Sequence, residues 1–266
     1  MRNIGIYSYF GYALPFDERL KMIEQAGFHT TSVGLGDEEE LVRNGQKDLM
    51  PEMVRSKGLY LEYAHAPEAK CNNLWSESKQ SRTEIKRGYS SCIAYCRKHL
   101  IPILVIHISK SKGMQPPMPN HYGLAIIKDL SKYAEDSGVR IAIENTQKLG
   151  HLDYIFSNID SPSLGLCYDS SHDFLYSPQP GLMLKQWGHL LFTTHISDND
   201  GLLDRHWLPG EGTIKWDIVK NSFPLKTYKG FLTLEIFPKN PKSETAPEFL
   251  RKALKSIKGF EEMLRE

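Results

Sequence analysis

Arg140-Ile-Ala-Ile-Glu144-Asn145 and Leu232-Thr-Leu-Glu235-Ile236 are two short apolar runs that each end abruptly on a carboxylate. Read as strands of a closed parallel barrel they are buried on both faces. A glutamate at such a terminus must be paired, hydrogen-bonded or bound to a metal. A salt bridge at the barrel mouth explains either glutamate alone; it explains both together, with their neighbours, poorly.

Outward from this pair, β-rich runs alternate with longer stretches of helical periodicity, as expected for repeated βα units around a parallel sheet. Eight strands are expected: Asn3 to Tyr7, Thr30 to Leu35, Tyr60 to Ala64, Ile103 to His107, Arg140 to Glu144, Leu164 to Tyr168, Leu191 to His195 and Phe231 to Glu235. Phe16 to Ala26, Glu38 to Ser56, Glu77 to His99, Leu124 to Ser137 and Pro247 to Leu264 carry apolar residues at three- and four-residue spacing and read as helices. Gly27, Gly58 and Gly138 follow such stretches, where a left-handed cap would end them. No GxGxxG turn follows the first strand, which favours a closed barrel over an open doubly wound sheet. The expected fold class is α/β, a single (β/α)8 TIM barrel over residues 1–266 as one domain.

Hydrophobic residues make up 40% of the chain and charged residues 24%, enough for a large core. The 33 Lys and Arg against 32 Asp and Glu give a net charge of +1, so no whole-molecule field draws the chain to nucleic acid or anionic lipid. The opening MRNIGIYSYFGYALPFDERL lacks the unbroken apolar stretch of a signal peptide, and no run of about 18 apolar residues occurs. A cytoplasmic chain with no membrane span is expected. Cys71, Cys92, Cys96 and Cys167 include no CxxC pair and read as free thiols.

His65, His107, Glu144, Asp169, His195 and Glu235 close strands or sit one residue past them. A barrel gathers the C-terminal strand ends on one face, so these scattered residues converge there. Imidazole and carboxylate are ligands for divalent metals. In Leu-Cys-Tyr-Asp169-Ser-Ser-His172 a helix after the strand would put Asp169 and His172 on one face; the plainer reading is a helix cap beside a solvated histidine. Asp204-Arg205-His206 follows His195 in the next loop, and alternate residues of an extended segment point the same way. His65 and His107 can hold a second metal, bind a substrate hydroxyl or pack at the barrel mouth.

The connections Pro67 to Ser76, Ser109 to Tyr122 and Ser197 to Thr213 are expected to rise over that face as substrate loops. Within the second, the prolines of 113–119 exclude helix. Tyr7, Tyr9, Phe10, Tyr12, Trp75, Trp207 and Phe237 are expected near the mouth, where the apolar face of a ligand can stack on rings. Arg205 and Lys239 are the nearest cations for a substrate phosphate.

Together these motifs resemble the xylose-isomerase-like barrel superfamily, which includes sugar isomerases and epimerases, inosose-processing enzymes and endonuclease IV. The resemblance covers essentially the whole chain, and His195 to Trp216, HISDNDGLLDRHWLPGEGTIKW, is most similar to sugar phosphate isomerase/epimerase-like proteins. It is specific to the superfamily and not to one reaction. It implies that Glu144, Asp169, His195 and Glu235 hold one divalent ion (Zn, Mn, Co or Mg), that His172 binds substrate, and that Glu144 and Glu235 exchange protons on opposite faces of the substrate carbon. The endonuclease IV pattern is matched as well, by His65, His107, Glu144, Asp169, His172, His195, Asp204, His206 and Glu235, and implies up to three ions. Near-neutral charge and a loop after His65, Pro67-Glu-Ala-Lys-Cys71, unlike a DNA-penetrating loop argue against nucleic acid.

The reading is a divalent-metal-dependent isomerase or epimerase of a small sugar, sugar phosphate or cyclitol, with Arg205 and Trp207 as substrate contacts. The alternative is a multinuclear metal-dependent phosphodiester hydrolase, and a third reading is a sugar-binding barrel with little turnover. Related barrels often dimerise, which leaves a homo-oligomer open.

Overall fold

The strands are β1 (Ile4–Tyr7), β2 (Thr30–Gly34), β3 (Tyr60–His65), β4 (Ile103–Ile106), β5 (Arg140–Glu144), β6 (Leu164–Asp169), β7 (Leu191–His195) and β8 (Leu232–Leu234) in a computed structural model that describes residues 4–110, 117–146 and 149–266. Asn3 and most of the proline-rich stretch 113–119 therefore lie outside the described residues. The strands are parallel in the order β7-β6-β5-β4-β3-β2-β1-β8. The seam between β7 and β8 closes just past β7, where Ile196 N donates to Thr233 O at 2.9 Å and Glu235 N to Ile196 O at 3.3 Å. The architecture is a single (β/α)8 TIM barrel.

The helices are α1 (Phe16–Ala26), α2 (Glu40–Arg43), α3 (Met50–Ser56), α4 (Lys79–Lys98), α5 (His121–Ser137), α6 (Leu149–Phe156), α7 (Ser170–Tyr176), α8 (Leu182–Trp187), α9 (Trp216–Ser222) and α10 (Ala246–Arg265). Helix α1 buries Phe16, Leu20 and Ile23 and ends at Gly27, whose φ of 96° suits a residue without a side chain. The expected helix from Glu38 to Ser56 is instead divided into α2 and α3, with Gly45 at φ 70° between them. Helices α6 to α9 are six to eight residues long, too short for a periodic pattern to stand out in sequence. Among the described residues no helix is long and apolar enough to cross a membrane.

A large apolar cluster lies between the strands and the helices, and a smaller one of Tyr7, Tyr63, Ile103, Val105, Ala142 and Cys167 plugs the barrel interior. One irregularity positions the site. Thr31 pairs with Leu61 but Val33 with Ala64, so Glu62 and Tyr63 of β3 oppose Ser32 alone. Strict alternation would send Glu62 and His65 to opposite faces; this bulge lets both point inward.

Candidate metal centre

Glu144, the last residue of β5 and only 1% exposed, is the hub on which the strand ends converge. Its Oε2 lies 3.0 Å from His107 Nε2, 3.3 Å from His65 Nε2 and 3.1 Å from His195 Nδ1. Its Oε1 lies 3.0 Å from His172 Nδ1. Glu235 approaches from β8, with Oε2 2.9 Å from the same His195 Nδ1. Asp169 is both cap and candidate ligand: Oδ1 accepts from His172 N at 2.7 Å at the start of α7, which leaves Oδ2 without a hydrogen bond.

The arrangement fits a divalent ion. Glu144, Asp169, His195 and Glu235 each offer a ligand atom, and these atoms lie within 4.8 Å of one another. Both His195 nitrogens are buried and unaligned for hydrogen bonding, despite the 2.9 and 3.1 Å approaches of two carboxylate oxygens to Nδ1. Ligand atoms bound at about 2.1 Å to one ion are separated by roughly 3.0 to 3.4 Å, close to what these contacts show. His65 forms a second such group with Glu144 and His195.

The loop after β7 delivers the remaining residues. Asp198 organises it by accepting from Gly210 N at 3.0 Å, Ile214 N at 3.1 Å and Trp216 Nε1 at 3.1 Å. That fold-back carries Asp204 and His206 over the strand ends. Asp204 Oδ2 sits 2.9 Å from His172 Nε2 and 3.2 Å from His206 Nε2, and Oδ1 accepts from Ser171 Oγ at 2.7 Å. His206 adopts φ 52°, an unfavourable conformation for a side-chain-bearing residue, and its Nδ1 is 3.1 Å from Glu235 O. All nine histidines and carboxylates expected at the mouth are thus brought together, as one continuous network around Glu144 and Asp204.

Charge within the network is unbalanced in a consistent direction. Burial alone would raise the Glu144 carboxyl, but the His107 and His195 rings outweigh it and hold it well below the usual range. Glu235 is likewise lowered to about 2, its burial overcome by His195. Burial opposes protonation of His107, yet Glu144 and Glu68 raise it to about 9; Asp204 and Glu235 do the same for His206, also to about 9. Asp169 moves the other way, to about 7, through burial and then the neighbouring Asp204 and Glu144 charges, against His172. Carboxylates that draw protons onto His107, His172, His195 and His206 mark a pocket short of positive charge, which a divalent ion would supply.

A cavity of about 440 Å³ opens above this network, walled by Tyr7, Tyr9, Glu38, Glu68, Tyr176 and Phe237. Glu68, Lys110, Glu38 and Tyr176 were not singled out in the sequence. Glu68 Oε2 lies 3.1 Å from His107 Nδ1 and its other oxygen accepts from Lys110 Nζ, so the pair closes over His107. Tyr176 had a legible signal, lying four residues after His172 on the same helix face. Arg205 and Trp207 do not line the cavity: Arg205 is 43% exposed and donates to Asp200 Oδ2 at 2.7 Å, while the backbone of Trp207 pairs with Asp198. Lys239 donates to Glu211 O at 2.6 Å, and Phe10 and Trp75 belong to the core. The four cysteines are free, with Cys92 half-buried and the others buried.

Comparison with known proteins agrees with this fold. The chain superposes on an L-ribulose 3-epimerase with a TM-score of 0.77 at 18% identity, covering 100% of this chain and 96% of that one. A D-tagatose 3-epimerase-like protein gives 0.78 at 18% identity, over 99% and 98% of the two chains. The 3-keto-D-glucoside 4-epimerase of E. coli gives 0.70 at 16% identity, over 97% and 100%. An uncharacterized protein from Sinorhizobium fredii is 33% identical over 113 residues, which span 40% of this chain and 36% of that relative. The family model for the xylose isomerase-like TIM barrel matches residues 17–253. The chain therefore belongs to the xylose isomerase-like TIM barrel family.

Proposed function

We propose that the protein is a divalent-metal-dependent isomerase or epimerase of a small polyhydroxylated carbonyl compound. The observation that carries this reading is the convergence of Glu144 and Glu235 on one imidazole, at 3.1 and 2.9 Å from His195 Nδ1, at the floor of a cavity of small-molecule size. Glu144, Asp169, His195 and Glu235 would hold the ion, which when bound polarises a substrate carbonyl and stabilises charge developing on its oxygen. Both carboxyls are held low, so either glutamate in its ionised form can remove the proton beside the carbonyl; the other, entering the cycle with a proton taken from solvent, delivers it to the opposite face, and the first then releases its proton to solvent. His172, set between Glu144 at Nδ1 and Asp204 at Nε2, orients the Glu144 carboxylate, and Tyr9, Tyr176 and Phe237 pack against CH faces. That several proteins of the same fold bear the names of sugar epimerases supports the reading.

The test is solvent exchange. With Mn or Zn supplied, a ketose substrate incubated in D2O gains deuterium at the carbon beside the carbonyl, and Glu144→Gln and Glu235→Gln abolish the gain. Wild-type turnover by either variant on a substrate the protein converts overturns the mechanism.

A second reading, phosphodiester hydrolysis with a multinuclear centre, is favoured by one observation: His65 and His107 both face Glu144 Oε2, while His172 and His206 both face Asp204 Oδ2. Against it stand the acidic walls Glu38 and Glu68 and a cavity of about 440 Å³, unsuited to a duplex. Elemental analysis decides between them: one ion per chain fits isomerisation, and three with phosphodiesterase activity fit hydrolysis.

A further inference from the structure

A second cavity, of about 430 Å³, lies beside the first and shares Tyr7, Tyr9 and Glu38 with it as a common wall. It runs between the β1–α1 connection, through Ala13, Leu14 and Pro15, and α2 with the residue before it, through Glu39, Glu40 and Arg43. Its base is fixed. Arg19, 4% exposed, donates to Glu39 Oε2 at 2.6 Å, to Ser8 O at 3.0 Å and to Leu14 O at 3.1 Å. The same guanidinium lies 5.6 Å from the Tyr9 ring centroid, and Phe237 packs edge-on to that ring at 5.7 Å, so Tyr9 stands braced between the two cavities.

The charges lining the side cavity disfavour an anionic group there. The carboxylates of the two cavities include Glu38, Glu39, Glu40, Glu68, Asp204 and Glu235. Every lysine or arginine among the described lining residues is already committed: Arg19 to Glu39, Lys110 to Glu68, and Arg43 to the carbonyls of Asp37 and Glu38 at 2.7 and 3.0 Å. A phosphate entering the side cavity would meet the Glu38 and Glu40 carboxylates, with Arg19 already paired to Glu39 and Arg43 turned onto two carbonyls; the histidines and the ion site lie in the first cavity, under the reacting unit. Sugar hydroxyls are donors, which carboxylates accept, and a tyrosine face suits a pyranose ring.

We propose that the substrate is an uncharged glycoside, with its reacting unit over Glu144 and Glu235 and a second sugar ring in the side cavity, against Tyr9 and within reach of the Glu38 and Glu40 carboxylates. This rests on the isomerase reading and narrows it, separating glycosides from free monosaccharides and sugar phosphates.

The test uses the metal-loaded full chain and five probes: D-fructose, D-fructose 6-phosphate, and the glucosyl-fructoses turanose, maltulose and isomaltulose. Binding is read by calorimetry on the Glu235→Gln variant, so that the order of affinities stands whether or not any probe is turned over. At least one glucosyl-fructose is expected to bind about tenfold or more tightly than fructose, the effect of an added subsite worth ~1–3 kcal/mol, with the phosphate weakest. Ala13→Trp, at an exposed position that lines the side cavity alone, fills that cavity. Added to Glu235→Gln, it is expected to remove the disaccharide advantage and leave fructose within about twofold, since exposed sites tolerate substitution. Preference for the phosphate, no disaccharide tighter than fructose, or an advantage that survives Ala13→Trp each overturns the proposal. Failure of the isomerase reading shows separately, as binding by the wild type with no deuterium exchange into any probe.

Discussion

Glu144 and Glu62 are both buried glutamates on inner strands of the same barrel, β5 and β3, and their carboxyls are pushed in opposite directions. Glu62 is raised to about 7, because burial is only partly offset by the hydroxyls of Thr193 and Thr233. Glu144 suffers the same burial and is held well below its ordinary value by the His107 and His195 rings. A hydroxyl offers a dipole and an imidazolium offers a charge, and only the second keeps a buried carboxylate ionised at neutral pH. The strand-end face thus concentrates ionised carboxylates. Deeper in the barrel a carboxyl that tolerates protonation serves as a tie. Glu62 Oε1 accepts from Thr193 at 2.6 Å and Oε2 from Thr233, each two residues before a candidate ligand, His195 and Glu235. It therefore spans the barrel to the β7–β8 seam.

The largest effect is expected at the hub. Glu144→Ala removes the carboxylate that four imidazoles approach and is expected to lower turnover by roughly 10³-fold or more, as loss of a group active only in the transition state does. Metal content of the purified variant should fall in parallel, measured by elemental analysis. Full retention of metal would break the contrast by showing that Glu144 is no more a ligand than Glu62.

Glu62→Gln tests the other side. The folded-state value near 7 exceeds the ordinary 4.5, so the native state holds the proton over that range. Stability from this group is full below about pH 4.5 and lost as pH rises through 7, a loss on the order of 3 kcal/mol. Denaturant unfolding of wild type and Glu62→Gln at pH 4.5 and 7.5 should show that the substitution removes this slope. Glu144 has the opposite sense, its contribution being present above its ordinary range and lost in acid.

The contrast was half legible. Ile-Ala-Ile-Glu144 and Leu-Thr-Leu-Glu235 announce themselves because a carboxylate ends an apolar strand, and the alternation of strands with long helices announces the barrel. Glu62 lies inside Tyr60-Leu-Glu-Tyr-Ala, where period-two alternation gives no reason to bury it. Its inward position comes from the bulge against Ser32, a feature of pairing between strands that no single strand encodes. Glu68 and Lys110 were hidden for a similar reason, since their pairing joins two loops 42 residues apart. Arg205 looked like a substrate contact because it stands between two candidate ligands, but its guanidinium turns away from them onto Asp200 Oδ2.

Asp204→Asn sharpens the catalytic side. If one ion is held by Glu144, Asp169, His195 and Glu235, Asp204 touches none of the four and acts through His172 and His206, so its loss should weaken metal binding by less than the roughly 10–100-fold expected for a group directly behind a ligand. Competition with a chelator measures this, with stoichiometry unchanged at one. Loss of a whole equivalent of metal would make Asp204 a ligand and favour the multinuclear reading.

The smallest effect probes how far hydroxyl dipoles hold Glu62. Thr193→Val keeps the shape and removes the donor to Oε1, leaving Thr233 alone to favour the ionised form. Loss of one hydrogen bond costs about 1 kcal/mol. Because both hydroxyls lower the carboxyl, removing one should raise it further above 7, so that the pH-dependent loss of stability extends to higher pH than in wild type. The difference between Thr193→Val and Thr193→Val/Glu62→Gln, measured by unfolding from pH 5 to 9, isolates the shift. An unchanged window would mean that burial alone sets the Glu62 carboxyl, and the two ends of the barrel would then differ only in whether a histidine stands nearby.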